Sequence, residues 1–155
     1  MIEKKEKFET ILAKIKDVTA GNDSRDEKLN AVCQLLYGGL PYYNWVGFYL
    51  TDETGKNLML GPYLGAPTEH VKIAFGQGIC GQAAERKETF VVQDVSKETN
   101  YLSCSIKVKA EIVVPIFKGE KIAGELDIDS HTANPFTQED KLYLEKICGE
   151  LKKIF

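Results

Sequence analysis

The hydrophobic period of this chain changes twice, from helical to alternating and back. That change constrains the fold more than any single residue. Residues 4–20 place Phe8, Ile11, Leu12, Ile15 and Val18 at helical offsets, with charge on the other face. Gly21-Asn22-Asp23-Ser24 interrupts the pattern. Asp23 or Ser24 can then cap a second helix running to about Leu36, closed by Gly38-Gly39. From Asn44 the period drops to two. Asn44–Thr51 and Leu58–Pro62 read as the arms of a hairpin about the turn 52–56. Val71–Phe75 and Thr89–Val92 read as short extended segments, and Gly76–Gly81 as a Gly-rich loop before a short helix over 82–87. Residues 96–109 show no period and read as a long loop. Glu111–Phe117 and Lys121–Ser130 form a second hairpin about Lys118-Gly119-Glu120. A closing helix follows, with Thr137 as N-cap and Asp140 at the capping-box position. Helices, hairpin, irregular centre, hairpin, helix is an α+β order with a central antiparallel sheet, flanked by N- and C-terminal helices.

Composition then narrows the class. The length of 155 residues predicts a single domain over 1–155, and 43% hydrophobic with 28% charged residues is a globular balance. A net charge of −3 gives no basic stripe, so no nucleic-acid partner is expected. No apolar run approaches the ~20 residues of a membrane span, so no membrane partner is expected either. The N-terminus MIEKKEKFET lacks the apolar core of a secretory signal, so a cytoplasmic location is expected. There the four cysteines, at 33, 80, 104 and 148, are expected to stay free of structural disulfides. None is paired as C-x-x-C. Zinc ligands would have to be gathered from scattered positions, so no metal is expected.

Gly76-Gln77-Gly78-Ile79-Cys80-Gly81 matches the dinucleotide fingerprint G-x-G-x-x-G. Only about seven residues separate it from the next strand, too few for a crossover helix of ten to twelve. The alternating βαβ units of that fold are also missing. The glycines therefore read as shaping a loop.

Five stretches together resemble one family. They are Trp45–Leu50 (WVGFYL), Leu60-Gly61-Pro62, Gly76–Ala84 (GQGICGQAA), Glu111–Pro115 (EIVVP) and Leu126–Ser130 (LDIDS). They are similar to the free methionine-(R)-sulfoxide reductase branch of the GAF-domain family, over about residues 8–150. The resemblance implies an antiparallel sheet flanked by helices, with a pocket for free methionine sulfoxide over one face. It implies that Cys104, seven residues before Glu111, is the nucleophile, and that Cys80 is a second redox thiol. It implies no bound cofactor. The partners would be an external thiol reductant such as thioredoxin and a second copy of the chain, paired through the terminal helices.

The residue types suit that chemistry. Trp45, Gly47 and Tyr49 share one strand face, and Gly47 is expected to leave a hollow between two aromatic walls that attract sulfur. Glu111, Asp127 and Asp129 would hold the ammonium of a free amino acid. Crowding raises carboxyl pKa values, so one of them could stay protonated as a general acid. Glu125, on the same alternation, is read as a solvated face. Cys33 and Cys148 lie on apolar helix faces and read as inert. The resemblance breaks at two places. Its third cysteine, ten residues before Cys80, is replaced by His70, and its G-H-I-A-C-D stretch is replaced by Asn100–Ser105 (NYLSCS). A non-catalytic GAF module, binding a small amino-acid-like ligand or sensing oxidants, is the alternative reading.

Overall fold

The computed structural model describes residues 3–102 and 106–155. Cys104 lies outside the described residues. The N-terminal helix α1 (Lys4–Ala20) buries Phe8, Ile11 and Ile15. Ser24 caps α2 (Arg25–Gly39), its hydroxyl accepting from the Glu27 N–H at 3.2 Å. The helix runs through the two glycines expected to stop it, because Leu36, Leu29 and Cys33 hold it against the sheet side of the core.

Strands β1 (Trp45–Thr51), β2 (Asn57–Leu64) and β3 (Lys72–Ala74) follow. Then come α3 (Gly78–Arg86), β4 (Phe90–Val92), a 3-10 turn over Val95–Lys97, β5 (Ala110–Lys118), β6 (Lys121–Ser130) and α4 (Gln138–Leu151). The strands form one antiparallel sheet in the order β3-β2-β1-β6-β5-β4. The two hairpins, β1–β2 and β5–β6, meet through the β1–β6 pair.

The sheet separates two apolar clusters. Val46, Phe48, Leu126, Ile128, Ile112 and Val114 point to one face and pack with α1, α2 and α4. Trp45, Tyr49 and Val113 point to the other and pack with Ile79, Ala83 and Ala84 of α3. Both faces of the central strands are therefore covered, so alternation here does not mean one wet face. Asp140 ties the closing helix to the first. It completes the capping box with Thr137, accepts from Tyr42 and Tyr43 hydroxyls at 2.7 Å each, and pairs with Lys4. Burial pushes its carboxyl up, but these bonds outweigh burial and hold it below the usual carboxylate range.

The Gly-rich stretch differs from the expected loop. The helix begins at Gly78, inside the motif. Gly78 has φ 64°, and a Cβ there would meet Leu102 at 2.9 Å. A Cβ on Gly81 would lie 2.5 Å from the Ala74 carbonyl oxygen. The glycines thus seat α3 directly against β3 and the segment after β4. Among the described residues, no helix is long and apolar enough to cross a membrane.

Candidate active site

Three cross-strand rows build the site on the α3 side of the sheet. Trp45, Asp129 and Glu111 form the first, Gly47, Asp127 and Val113 the second, Tyr49, Glu125 and Pro115 the third. The period of two puts all nine on one face. Cys80 comes down onto these rows from the first turn of α3. Its Sγ lies 3.9 Å from Glu111 Oε2. Donor atoms of Cys80, Glu111 and Asp127 all lie within 4.8 Å of one another. Tyr49, His70, Cys80, Leu102, Glu111 and Asp127 line one cavity. Its free volume is about 10 Å³, roughly room for one water.

Trp45 and Tyr49 stand on the expected face, but Gly47 leaves no hollow. A Cβ there would lie 2.5 Å from the Trp45 ring and 2.6 Å from Tyr63 Cβ. The indole folds over the glycine and stacks on Tyr63 at 5.2 Å and Tyr49 at 6.4 Å. Its Nε1 donates to the Ala66 carbonyl at 3.0 Å, and the Tyr49 hydroxyl donates to the His70 carbonyl at 2.9 Å. The glycine makes an aromatic wall flat. Position 70 thereby enters the site through its backbone as well as by lining the cavity.

The carboxyl cluster is buried. Glu111 is 5% exposed, and Asp127 and Asp129 are 1% exposed. Burial pushes the Asp127 carboxyl up, against hydrogen bonding with Glu111 and Cys80. Burial and the neighbouring Asp127 charge push Asp129 well up. Hydrogen bonding between carboxyl groups requires a proton between them, so the cluster retains protons where isolated carboxylates would have lost them. Asp127 Oδ1 and Asp129 Oδ1 are buried without a hydrogen-bond partner among the described residues. Burial, then the charges of Asp127, Glu111, Glu125 and Asp129, push the Cys80 thiol well up, so it rests as a thiol.

Glu125 corrects the sequence reading. It is fully buried on the site face, with neither carboxyl oxygen partnered among the described residues, and burial and Asp127 raise its pKa well above normal. Asn100 is a further residue that sequence reasoning missed. Its side-chain oxygen accepts from Gly78 N–H at 2.8 Å and its amide donates to Gly76 C=O at 2.8 Å. It caps α3 from outside, where Gln77 supplies no side-chain cap. Cys33 and Cys148 lie in the opposite cluster. Burial pushes Cys33 up to about 12 and Cys148 higher still.

The antiparallel sheet, with helices on both faces and a carboxyl–thiol cluster under α3, defines a small ligand-pocket domain. The sequence profile of the GAF domain family matches residues 24–152, and this chain belongs to that family. It is 37% identical over 144 residues to GAF domain-containing protein A of Dictyostelium discoideum, covering 93% of this chain and 89% of that one. It is 36% identical over 135 residues to the free methionine-R-sulfoxide reductase of Escherichia coli, covering 87% and 80%. The solved free methionine-R-sulfoxide reductase of Neisseria meningitidis, in complex with its substrate, superposes with a TM-score of 0.94 at 34% identity, covering 100% of this chain and 92% of that one.

Proposed function

We propose that this protein reduces free L-methionine-(R)-sulfoxide to methionine through a cysteine sulfenic acid and disulfide cycle. The observation that carries the reading is the convergence of Cys80, Glu111 and Asp127 on one buried cavity, walled by Tyr49. Similarity to relatives named for that activity supports it. Trp45 and Tyr49 present the aromatic wall to the methyl-sulfoxide end. Glu111, Asp127 and Asp129 take the ammonium group, and a protonated member of the cluster hydrogen-bonds the sulfoxide oxygen.

Cys104 acts as the nucleophile, as the family resemblance implies. Its sulfur attacks the sulfoxide sulfur, and the S=O oxygen passes to Cys104. Methionine leaves, and the two-electron reduction of the sulfoxide is balanced by oxidation of the thiol to sulfenic acid. Cys80 then condenses with the sulfenic acid. An S–S bond forms, the S–OH bond breaks, and water leaves. Because Cys80 rests protonated, Glu111 at 3.9 Å is the group that takes its proton in this step. An external dithiol of the thioredoxin kind reduces the disulfide by exchange. No bound cofactor takes part in these steps. The second-copy contact runs through α1 and α4.

The test is methionine release. Reduced protein is incubated with dithiothreitol and racemic methionine sulfoxide, and methionine is measured by chromatography. Release limited to the R epimer and abolished by Cys104→Ser is the expected result. No release, where a control reductase turns over, overturns the reading. With thioredoxin in place of dithiothreitol, full turnover by Cys80→Ala would remove Cys80 as the resolving thiol. His70, standing where the resemblance has a cysteine, favours a second reading as a non-catalytic ligand-binding module. Saturable binding of methionine sulfoxide without any release would select it.

A further inference from the structure

The turns of the two hairpins frame an open groove of about 860 Å³ at one end of the sheet. Thr51 and residues 52–55 line it from the first hairpin, and Lys118, Lys121 and Ala123 from the second. Thr51 lies four residues along β1 from Gly47, which is roughly 13 Å from the row that carries Asp127. The groove shares no lining residue with the cavity at Cys80.

Its chemistry is cationic and aromatic. Arg25, Lys87, Lys118 and Lys121 line it, against the acids Asp52 and Glu53, in a chain whose net charge is −3. The ion pairs found among the described residues, Lys4–Asp140 and Lys153–Glu150, engage none of these cations. The Asp52 carboxylate is occupied within its own turn, accepting from the Thr54 hydroxyl at 2.7 Å and the Asn57 amide at 3.0 Å. Lys87 ends α3 at φ 56°, where glycine is usual. Its Nζ donates to the Glu120 carbonyl at 2.9 Å, which holds that charge against the second turn. Phe75 and Phe155 also line the groove, each half-buried and backed by a different apolar cluster, and the Arg25 guanidinium sits 5.1 Å from the Phe155 ring centre. An independent observation points to a ligand. Thr51 Oγ1 is buried and has no hydrogen-bond partner among the described residues, on a residue that lines the groove. Buried hydroxyls are ordinarily paired.

We propose that this groove binds a small organic anion with an aromatic body and a phosphate-like dianion. The cations gathered there match two negative charges better than a single carboxylate, and guanidinium and ammonium groups both suit phosphate oxygens. The rings of Phe75 and Phe155 take the flat body, and the Thr51 hydroxyl donates to a ligand oxygen. This is a second ligand site on the domain, and it uses none of the groups assigned to methionine sulfoxide.

Naphthyl phosphate titrated into the full chain tests the site, by calorimetry and by amide NMR shifts. Binding is read directly, so the result stands whether or not the protein turns over methionine sulfoxide. Saturation at one equivalent is expected, with shifts concentrated at residues 51–55 and 118–123. Inorganic phosphate lacks the ring and naphthol lacks the charge, so each should bind at least about tenfold more weakly. Lys118 and Lys121 are exposed, so Lys118→Glu/Lys121→Glu leaves the core untouched. An exposed charge pair contributes up to a factor of about five, so this double variant should bind about tenfold more weakly or worse. Phe155→Ala, which removes ring contact, should cost about tenfold as well. No saturable binding, shifts centred on Cys80 and Asp127, or wild-type affinity in either variant overturns the proposal. Inorganic phosphate binding as tightly as the aryl ester also overturns it, because that marks a bare patch of cations.

Discussion

Glu125 brings a carboxyl group into the interior opposite Tyr49 and Pro115, one row from Asp127. Ionised, it would add a further negative charge to a face that already carries Glu111, Asp127 and Asp129. Its burial and Asp127 instead raise its pKa well above the ordinary value. The sign of the linkage follows. Below the unfolded-state pKa of about 4.3 both states hold the proton, and Glu125 carries no pH-linked penalty. As pH rises above that value, the unfolded chain releases its proton first, and stability is lost until the raised folded-state pKa is passed. Glu125→Gln removes the proton linkage while keeping the shape. We expect it to raise Tm at pH 7 and to lose that gain near pH 4. Equal shifts at both pH values, read by thermal melts, would refute a raised Glu125. The alternation of Glu125, Asp127 and Asp129 was legible in the sequence, but its direction was not. A period of two separates two faces without saying which is wet, and here α3 covers the acidic one.

At the scale of elements, α3 shows how a misleading motif is resolved. The glycines of GQGICG serve close packing. They let the helix start beside β3, with Gly81 against Ala74, and deliver Cys80 to the sheet. The helix lacks its own side-chain cap, and Asn100 supplies one across a separation of 22 residues. A cap of this kind contributes about 1 kcal/mol. Asn100→Ala should therefore lower Tm by about 2–4 °C, the shift expected for about 1 kcal/mol in a chain of this size. The same bonds hold Asn100, four residues before the proposed nucleophile Cys104, and a small misplacement is costly to an attacking group. Methionine release should fall about tenfold or more, with Asn100→Asp, which keeps the acceptor for Gly78, retaining more of both. Unchanged melting and turnover in Asn100→Ala would remove Asn100 from the site. The hairpins were legible because strand chemistry is local, as β5 and β6 show. The Asn100 cap was not, because Asn100 lies 22 residues beyond Gly78 and reaches it only through the tertiary fold.

Across the whole molecule the sheet acts as a partition. Cys33 and Cys148 sit on the α1, α2 and α4 side, where their thiols reach Pro62 and Val114 carbonyls at 3.6 and 3.8 Å. Cys80 sits on the other side, among the carboxyls. The sequence marked the two helix thiols by their apolar periodicity. The second hairpin already set Glu111 beside Asp127 and Asp129, and the family resemblance put Cys80 in the same pocket, but the residues alone did not show the contact of Cys80 with them, because α3 meets β5 and β6 only through the tertiary fold. The partition predicts that stability and redox chemistry separate by side. Exchanging both helix thiols in Cys33→Ser/Cys148→Ser buries two hydroxyls in an apolar cluster, each with a carbonyl acceptor nearby. With a hydrogen bond available, each should cost near the low end of the mutational range, about 1 kcal/mol. The double variant should melt several degrees lower, yet release methionine within about twofold of the wild-type rate. Cys80→Ser should do the reverse. It keeps its melting temperature more closely, because a hydroxyl beside Glu111 and Asp127 finds acceptors, and it loses thioredoxin-linked turnover. A large loss of turnover in the double variant, measured while the protein remains folded, would mean that the sheet does not isolate the two sets of thiols.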